Sequence, residues 1–570
     1  MSIRVVASIF SAFIIGLWVL FSIATRPPEA PSHQVFINGD VLTMDSNNRV
    51  VEAISVRGDR IDNVGSSEAM LALVDDSTQV IDLRGRTLMP GFVDAHGHFP
   101  ASGQVVFSTD LNSPPIGDVD DIDEVIDRLQ QMAEARPDGW VMGWGFDDTM
   151  IAEQRHLTRD DLDGVSATRP VVVMHISGHL TSANSAALAA VNIDENTADP
   201  EGGHIQRDLS SPDRRRPNGV LEETAARTVV KQMYDIGISD GVRMLTLAAA
   251  SYLEQGVTTA SAGGLPLSAS KGLGPLSRFN VFPQRVALFP LYEEVMDKVI
   301  NDDWNPRKLE GGRVTVPRVK IIADGSIQGF TGYLSEPYYV AYKGDMHYRG
   351  YPSVLREKLM EQVDGLYARR IQVAIHGNGD ASIDDALDAI EAAAKKYAWA
   401  EARPLIIHAQ MTRRDQIDRM AALGVTPSFF SAHTYFWGDR HAAIFMGPER
   451  ASNMSPAKWA LDAGVRFSSH MDTPVLPMLP LQAVWSQVER KSTSGAVIGP
   501  HQRISRVDAL RAVTIDAAWQ VFMDDDVGSI ESGKLADLII LSGNPLKVED
   551  MRELKVDRTF IGGAEVYSRR

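Results

Sequence analysis

The stretch Pro90-Gly91-Phe92-Val93-Asp94-Ala95-His96-Gly97-His98 runs a short apolar segment into two histidines at i and i+2. In an extended strand that spacing turns both imidazoles to the same side. Two neutral imidazoles on one side make a metal claw, although a lone His-x-His is also a common surface or packing pair. The remainder of the chain decides between the two.

Downstream, apolar strand-like runs alternate with helical stretches such as residues 353–367 and 383–397, the pattern of βα units on a parallel sheet. After the His-x-His strand come Gly256-Val257-Thr258-Thr259, Val286-Ala287-Leu288, Val319-Lys320-Ile321-Ile322 and Val373-Ala374-Ile375-His376. Leu405-Ile406-Ile407-His408, Val425-Thr426-Pro427-Ser428 and Val465-Arg466-Phe467-Ser468-Ser469 complete the set. Eight such strands predict an α/β fold, a (β/α)8 TIM barrel over residues 90–519 with its chemistry where the strands' C-terminal ends meet. About 160 residues separate His98 from Val257, far more than a helical crossover needs. An inserted α/β domain is therefore expected at about residues 105–235. It has its own strands, Trp140-Val141-Met142-Gly143-Trp144 and Val171-Val172-Val173-Met174, and a helix at residues 119–134.

Both flanks are β-rich. Val35-Phe36-Ile37, Val41-Leu42-Thr43 and Ala53-Ile54-Ser55-Val56 are broken by Asn38-Gly39 and Gly58-Asp59, both turn signals. Ala536-Asp537-Leu538-Ile539-Ile540-Leu541 and Thr559-Phe560-Ile561 repeat this character at the other end. One β-sandwich built from residues 34–89 with 520–570 is predicted. Ahead of it, residues 1–33 hold an uncharged apolar run at residues 5–24, about long enough to cross a bilayer as a helix. It reads as an uncleaved membrane anchor, as a signal peptide cut after Ser22-Ile23-Ala24, or as a buried core helix. The first two readings export the catalytic domain, to the periplasm or the outer face of a membrane.

A formal charge of −18 without a basic cluster argues against a nucleic-acid partner. The absence of cysteine excludes disulfides, thiolate metal sites and a cysteine nucleophile. Any metal must sit on histidine, carboxylate or modified lysine. Oligomeric state is open, a homo-oligomer included.

Metal-capable side chains lie within or at the C-terminal ends of the predicted strands: His96 and His98 on the first, Lys320 on the fourth, His376 on the fifth, His408 on the sixth, with Asp472 after the eighth. Lys320 is the informative member. Among Val319, Ile321 and Ile322 an ammonium would be a buried charge costing several kcal/mol unless paired, whereas a carbamate formed with CO2 is an anion able to bridge two cations. The competing reading is a lysine snorkelling to the barrel rim.

These residues, with Asp324-Gly325-Ser326, His376-Gly377-Asn378-Gly379-Asp380 and Gly533-Lys534-Leu535-Ala536-Asp537-Leu538, resemble the amidohydrolase superfamily. The resemblance is narrower to its large-insert "amidohydrolase 3" branch, with N-substituted formamide deformylase-like members. It implies a binuclear site, usually zinc, with His96, His98, carboxylated Lys320, His376, His408 and Asp472 as ligands. The chain departs from the pattern at Met471, where the family often has serine, and the neighbouring His470 is a candidate pocket residue.

Two metals sharing a water would supply hydroxide near neutrality and polarise a carbonyl, and Asp472 would pass the proton to a leaving nitrogen. Hydrolysis of an amide-like C–N bond in a small molecule is the expected reaction. Lactone or ester hydrolysis uses the same parts. A one-metal deaminase, which needs no lysine bridge, and a non-catalytic regulatory protein are the rivals. In the insert, His175-Ile176-Ser177-Gly178-His179 is expected to turn His175 or His179 toward the substrate with Trp144 as an apolar wall; packing of both histidines inside the insert is the competing expectation.

Overall fold

The computed structural model describes residues 29–570 except 209, 211–213, 234–235 and 302–308. The apolar run at residues 5–24 lies outside the described residues. No described helix is long and apolar enough to cross a membrane.

Eight central strands lie parallel in chain order: β1 (Phe92–Val93), β2 (Val257–Gly263), β3 (Arg285–Phe289), β4 (Val319–Ile322), β5 (Val373–Gly377), β6 (Leu405–His408), β7 (Thr426–Phe429) and β8 (Ser468–Ser469). β2, β5 and β6 are rich in Val, Ile, Leu, Ala and Thr and fully buried, as strands covered on both faces must be. β1, β2 and β3 pair in sequence, and β4 to β8 form a second parallel run. The two arcs meet where Leu291 bridges Lys320 and the Lys320 N–H donates to the Pro290 carbonyl. On the far side no ladder joins β8 to β1 among the described residues. Residues 512–513 stand between them, accepting from the N–H groups of Ser469 and Val93.

One expectation needs correction. β1 ends at Val93, so residues 94–98 are loop rather than strand and their alternation does not aim the histidines. His98 instead bridges antiparallel to Ala262 in β2.

Strands from both chain ends share one sheet, in the order Ala564–Ser568, Val556–Ile561, Leu538–Leu541, Thr87–Pro90, Asp40–Leu42, Val50–Val51. Facing it are Arg60–Gly65, Ala53–Arg57, His33–Ile37 and Gln79–Asp82. Phe36, Ile54, Leu88, Leu538, Ile540 and Phe560 fill the space between, with the rings of Phe36 and Phe560 edge to face at 5.3 Å. Thr87–Pro90 leads through Gly91 directly into β1, so this sandwich fixes where the first histidines enter.

Between β1 and β2 a six-stranded sheet runs from Thr109–Asp110 to Gly203–Arg207 through Val141–Phe146, Val171–His175, Leu180–Ala183 and Pro217–Glu223. Its strands alternate between two cores: Met142, Val172 and Met174 enter one, Val141, Val171 and Val173 the other. The helix expected at residues 119–134 is Ile122–Ala135, started by the Asp121 side chain accepting from the Glu124 N–H.

Ile540 is fully buried in the sandwich core and packs across both sheets. Truncating it leaves a cavity at the joint between the chain ends. Ile540→Ala is expected to cost about 2–5 kcal/mol, read as a lower denaturation midpoint in urea, while Val50→Ala at the exposed sheet edge should move the midpoint by less than about 0.5 kcal/mol.

Candidate metal centre

The strand ends deliver six polar side chains to one buried place. One oxygen of Asp472 lies 3.3 Å from His96 Nε2 and 3.2 Å from His98 Nε2. The Lys320 amine is 3.1 Å from the same His96 nitrogen. The His408 ring stands 5.5 Å from His96 and 4.5 Å from His376, centre to centre. Donor atoms of His96, His408 and Asp472 all lie within 4.8 Å of one another. Asp472 and His408, with Ala409, hold positive φ of 54°, 68° and 43°. Non-glycine residues avoid this region, and the strain of about 1–3 kcal/mol each is typical of sites where function dictates backbone geometry.

The hydrogen bonds around the imidazoles assign their protons. His98 Nδ1 is 2.6 Å from the Gly263 carbonyl, which can only accept, so Nδ1 carries hydrogen. His376 Nδ1 likewise donates to Asp324 at 3.1 Å. For His408 the assignment runs through a relay. The amide nitrogen of Gln520 donates to Thr426 and to the Pro427 carbonyl, so its oxygen accepts from Ser468. Ser428 then donates to Ser468 at 2.8 Å and accepts from His470 Nδ1 at 2.8 Å. His470 Nε2 is left to accept from His408 Nδ1 at 3.0 Å. All three rings thus carry a lone pair at Nε2, that of His376 lying 3.3 Å from the Asn378 amide nitrogen.

A lone pair at His98 Nε2 facing a carboxylate oxygen at 3.2 Å is repulsive unless a cation stands between them. Among the described residues, the buried Nδ1 of His96 has no hydrogen-bond partner and the nearby Asp472 oxygen has no hydrogen-bond donor. Burial, with the Lys320 charge second, holds His96 well below the ordinary imidazole range. Burial does the same to His376 and His408, so protons are poor occupants. Nitrogen and oxygen donors of this kind suit a divalent transition metal. The residues fit the group.

Asp324 is the firmest lock on the cluster. It accepts from the N–H groups of Tyr333, Asn378 and Gly379 as well as from His376. Burial outweighs these donors and raises its carboxyl to about 7. Two glycines permit close packing here. A Cβ on Gly263 would sit 2.6 Å from the His96 ring, and one on Gly379 would sit 1.8 Å from the Tyr333 carbonyl. Gly379 therefore serves the loop that carries Asp324, whereas Gly377 has ordinary space around its Cα.

His179 reaches this centre, its ring 4.9 Å from His376 and its Nδ1 2.9 Å from buried Glu223. His175 goes elsewhere, to Asp148 and Ser177. Trp144 packs in the insert core with Phe107, Met142 and Met174, and a Cβ on Gly178 would meet its ring edge at 3.9 Å. His470 is buried within the relay behind His408. Sequence reasoning misses Asp324 as a lock, and misses Glu223, Ser428 and Gln520 altogether. Of these only Asp324 stands in a recognisable motif, Asp324-Gly325-Ser326.

Imidazoles with free lone pairs, a buried carboxylate and a buried amine at the ends of parallel strands define a metal-dependent hydrolase. Residues 79–567 match the amidohydrolase family, and the chain belongs to it; it is a hydrolase of carbon–nitrogen bonds. It is 29% identical over 546 residues to N-substituted formamide deformylase of Arthrobacter pascens, covering 94% of this chain and 98% of that protein. Among solved structures, a metal-dependent hydrolase of Pyrococcus horikoshii OT3 is 25% identical with a TM-score of 0.72, covering 91% of this chain and 99% of that one. One from Pyrococcus furiosus is 26% identical with a TM-score of 0.69, covering 90% and 100%.

Asp324→Asn keeps the shape but removes the charge that fixes the His376 ring. Loss of such an orienting partner typically weakens metal binding 10- to 100-fold. Titration with a competing chelator should show that loss, with cooperative unfolding retained.

Proposed function

We propose that this chain hydrolyses an amide-like C–N bond in a small N-acyl or N-formyl compound at a centre of two divalent metal ions, zinc by preference, held by His96, His98, Lys320, His376, His408 and Asp472. The observation that carries the reading is the convergence of the Nε2 atoms of His96 and His98 on one oxygen of Asp472. When bound, the ions make a water acidic enough to attack near neutrality and polarise the carbonyl it attacks.

Lys320 is buried without a carboxylate at hydrogen-bonding distance among the described residues. Burial lowers its amine to about 8, so a sizeable neutral fraction exists near neutral pH. That amine adds to the carbon of CO2 and releases one proton, and the carbamate replaces a buried cation with an anion between the two groups of histidines. Burial opposes ionisation of Asp472, yet the surrounding imidazoles, His408 first and then His96 and His98, hold its carboxyl well below the usual range. It stays a carboxylate, able to take a proton from water and pass it to the leaving nitrogen. His179, steadied by Glu223, is offered to the substrate from the insert.

The N-substituted formamides named for the Arthrobacter relative are the first substrates to try. We also propose that the two strand arcs form one (β/α)8 barrel across the seam at residues 512–513, supported by the common parallel direction and by the loop contacts there. Export rests on the apolar run at residues 5–24.

The test is turnover of N-substituted formamides, N-acyl amino acids, cyclic amides and lactones by the metal-loaded full chain. Activity confined to lactones, or release of ammonia from aminopurines alone, would overturn the amide reading. Asp472→Asn is expected to lower kcat by about 10³-fold or more with the fold intact. Lys320→Ala should bring metal content below two per chain, with partial recovery in a short-chain carboxylic acid.

A further inference from the structure

The loop that follows β7 carries an imidazole that the metal centre does not use. β7 ends at Phe429, and His433 opens the short helix His433–Phe436 just beyond it, on the side where the strand ends gather. His433 is 2% exposed. The Phe430 ring packs edge-on against it at 4.4 Å, and the Trp437 ring lies along it at 4.6 Å. Phe430 in turn stands 5.9 Å from His408 and 5.1 Å from His470, so a single ring separates His433 from the candidate ligand His408. His433 Nδ1 faces His441 Nε2 at 3.2 Å. Its Nε2 has no hydrogen-bond partner among the described residues and opens on accessible space, unlike the sealed, unpartnered Nδ1 of His441.

The contacts behind this ring set its proton. His441 is fully buried and begins a π-helical turn, His441–Phe445, a form frequent at functional sites. The amide nitrogen of Gln410 lies 3.0 Å from His441 Nε2 and can only donate, so that ring nitrogen accepts. His433 Nδ1 faces the same lone pair and must donate to it. Its Nε2 is then bare. Burial, and after it the His441 ring, hold the His433 imidazole well below its ordinary range, although the Asp472 carboxylate pulls the other way. The open nitrogen is therefore a neutral acceptor near neutral pH.

We infer, resting on the amide-hydrolase reading above, that His433 is a catalytic residue of the same site, its Nε2 accepting the N–H of the scissile amide, and that secondary amides and formamides are preferred over tertiary amides and esters. Addition of water to the carbonyl carbon makes the amide nitrogen pyramidal. Its new lone pair has to take the proton carried by Asp472 before the C–N bond breaks. An acceptor on the N–H holds that lone pair toward Asp472, and His433 itself neither gains nor loses a proton in the step. Tertiary amides and esters have no N–H at the leaving atom, so the contact gives them nothing.

The test compares N-butylformamide, N-butyl-N-methylformamide and butyl formate as substrates of the metal-loaded full chain. In His433→Leu, kcat/KM should fall at least about 10-fold more for N-butylformamide than for the other two, the effect of one lost hydrogen bond at the reacting atom. His433→Gln, whose side-chain oxygen can accept, should recover part of that difference. Metal content should match wild type in both variants. A second readout needs no turnover: in ¹⁵N-histidine spectra, the signals missing from His433→Gln should belong to a neutral ring with a bare Nε2. An equal fall for all three substrates, no fall for N-butylformamide, loss of metal, or a hydrogen on Nε2 would overturn the inference while leaving amide hydrolysis standing. A wild-type chain that cleaves butyl formate and neither formamide would overturn the amide reading, and this inference with it.

Discussion

Everything at the strand ends depends on where the imidazole protons are. Each of His98, His376 and His408 donates outward from Nδ1, to a carbonyl, a carboxylate and another imidazole. His98 and His408 therefore turn a bare nitrogen inward, toward Asp472 and its neighbours, and His376 turns its own beside the Asn378 amide. A reversed proton on any ring would replace a ligand with a donor. Between His98 and Asp472 no partner among the described residues satisfies the inward arrangement, since two lone-pair-bearing atoms at 3.2 Å repel, and a cation removes that conflict.

Parallel pairing makes the arrangement reproducible. The partner that fixes each ring sits on or just beyond another of the central strands. Gly263 at the end of β2 locks His98 after β1, Asp324 after β4 locks His376 in β5, and His470 after β8 lies behind His408 of β6. Register in the sheet, with Ile322 opposite His376 and Gly377 opposite His408, places these groups at one level. A shift of one residue would turn His376 and His408 to the other face of the sheet. Fold specificity and ligand geometry are thus one property of the hydrogen-bond ladder.

The candidate ligands were legible because chemistry on parallel strands gathers at their C-terminal ends, and His376 and His408 stand within apolar runs that announce strands. Their orientation was less legible. His96 and His98 converge through a loop folded against β2, not through strand alternation, because β1 stops at Val93. The locks were hidden for a different reason. Ser428, Ser468 and Gln520 are ordinary residue types, and Gln520 lies more than a hundred positions from the histidine whose proton it helps to place. In the insert, the histidines at 175 and 179 look equivalent in sequence, but a turn lies between antiparallel Val171–His175 and Leu180–Ala183. The turn sends His175 back toward Asp148 and His179 forward to His376.

The relay to His408 begins at the opposite end of the central strands, and this explains an otherwise costly feature. Arg318, just before β4, is fully buried with no carboxylate partner among the described residues. Its guanidinium donates to the main-chain carbonyls of Gln520 and Arg403 and faces the rings of Phe289 and Phe522. A planar group with five donors is suited to holding several carbonyls at once. The carbonyl of Gln520 is thereby fixed from below while its side chain accepts from Ser468 above. The cost of burying that charge is offset by two hydrogen bonds and two aromatic faces. The same contact holds helix Ile515–Gln520 against the base of the sheet. Arg318 and Lys320, two positions apart, thus serve the two ends of one path, the arginine anchoring the residue that sets a proton and the lysine entering the centre that the proton's position defines.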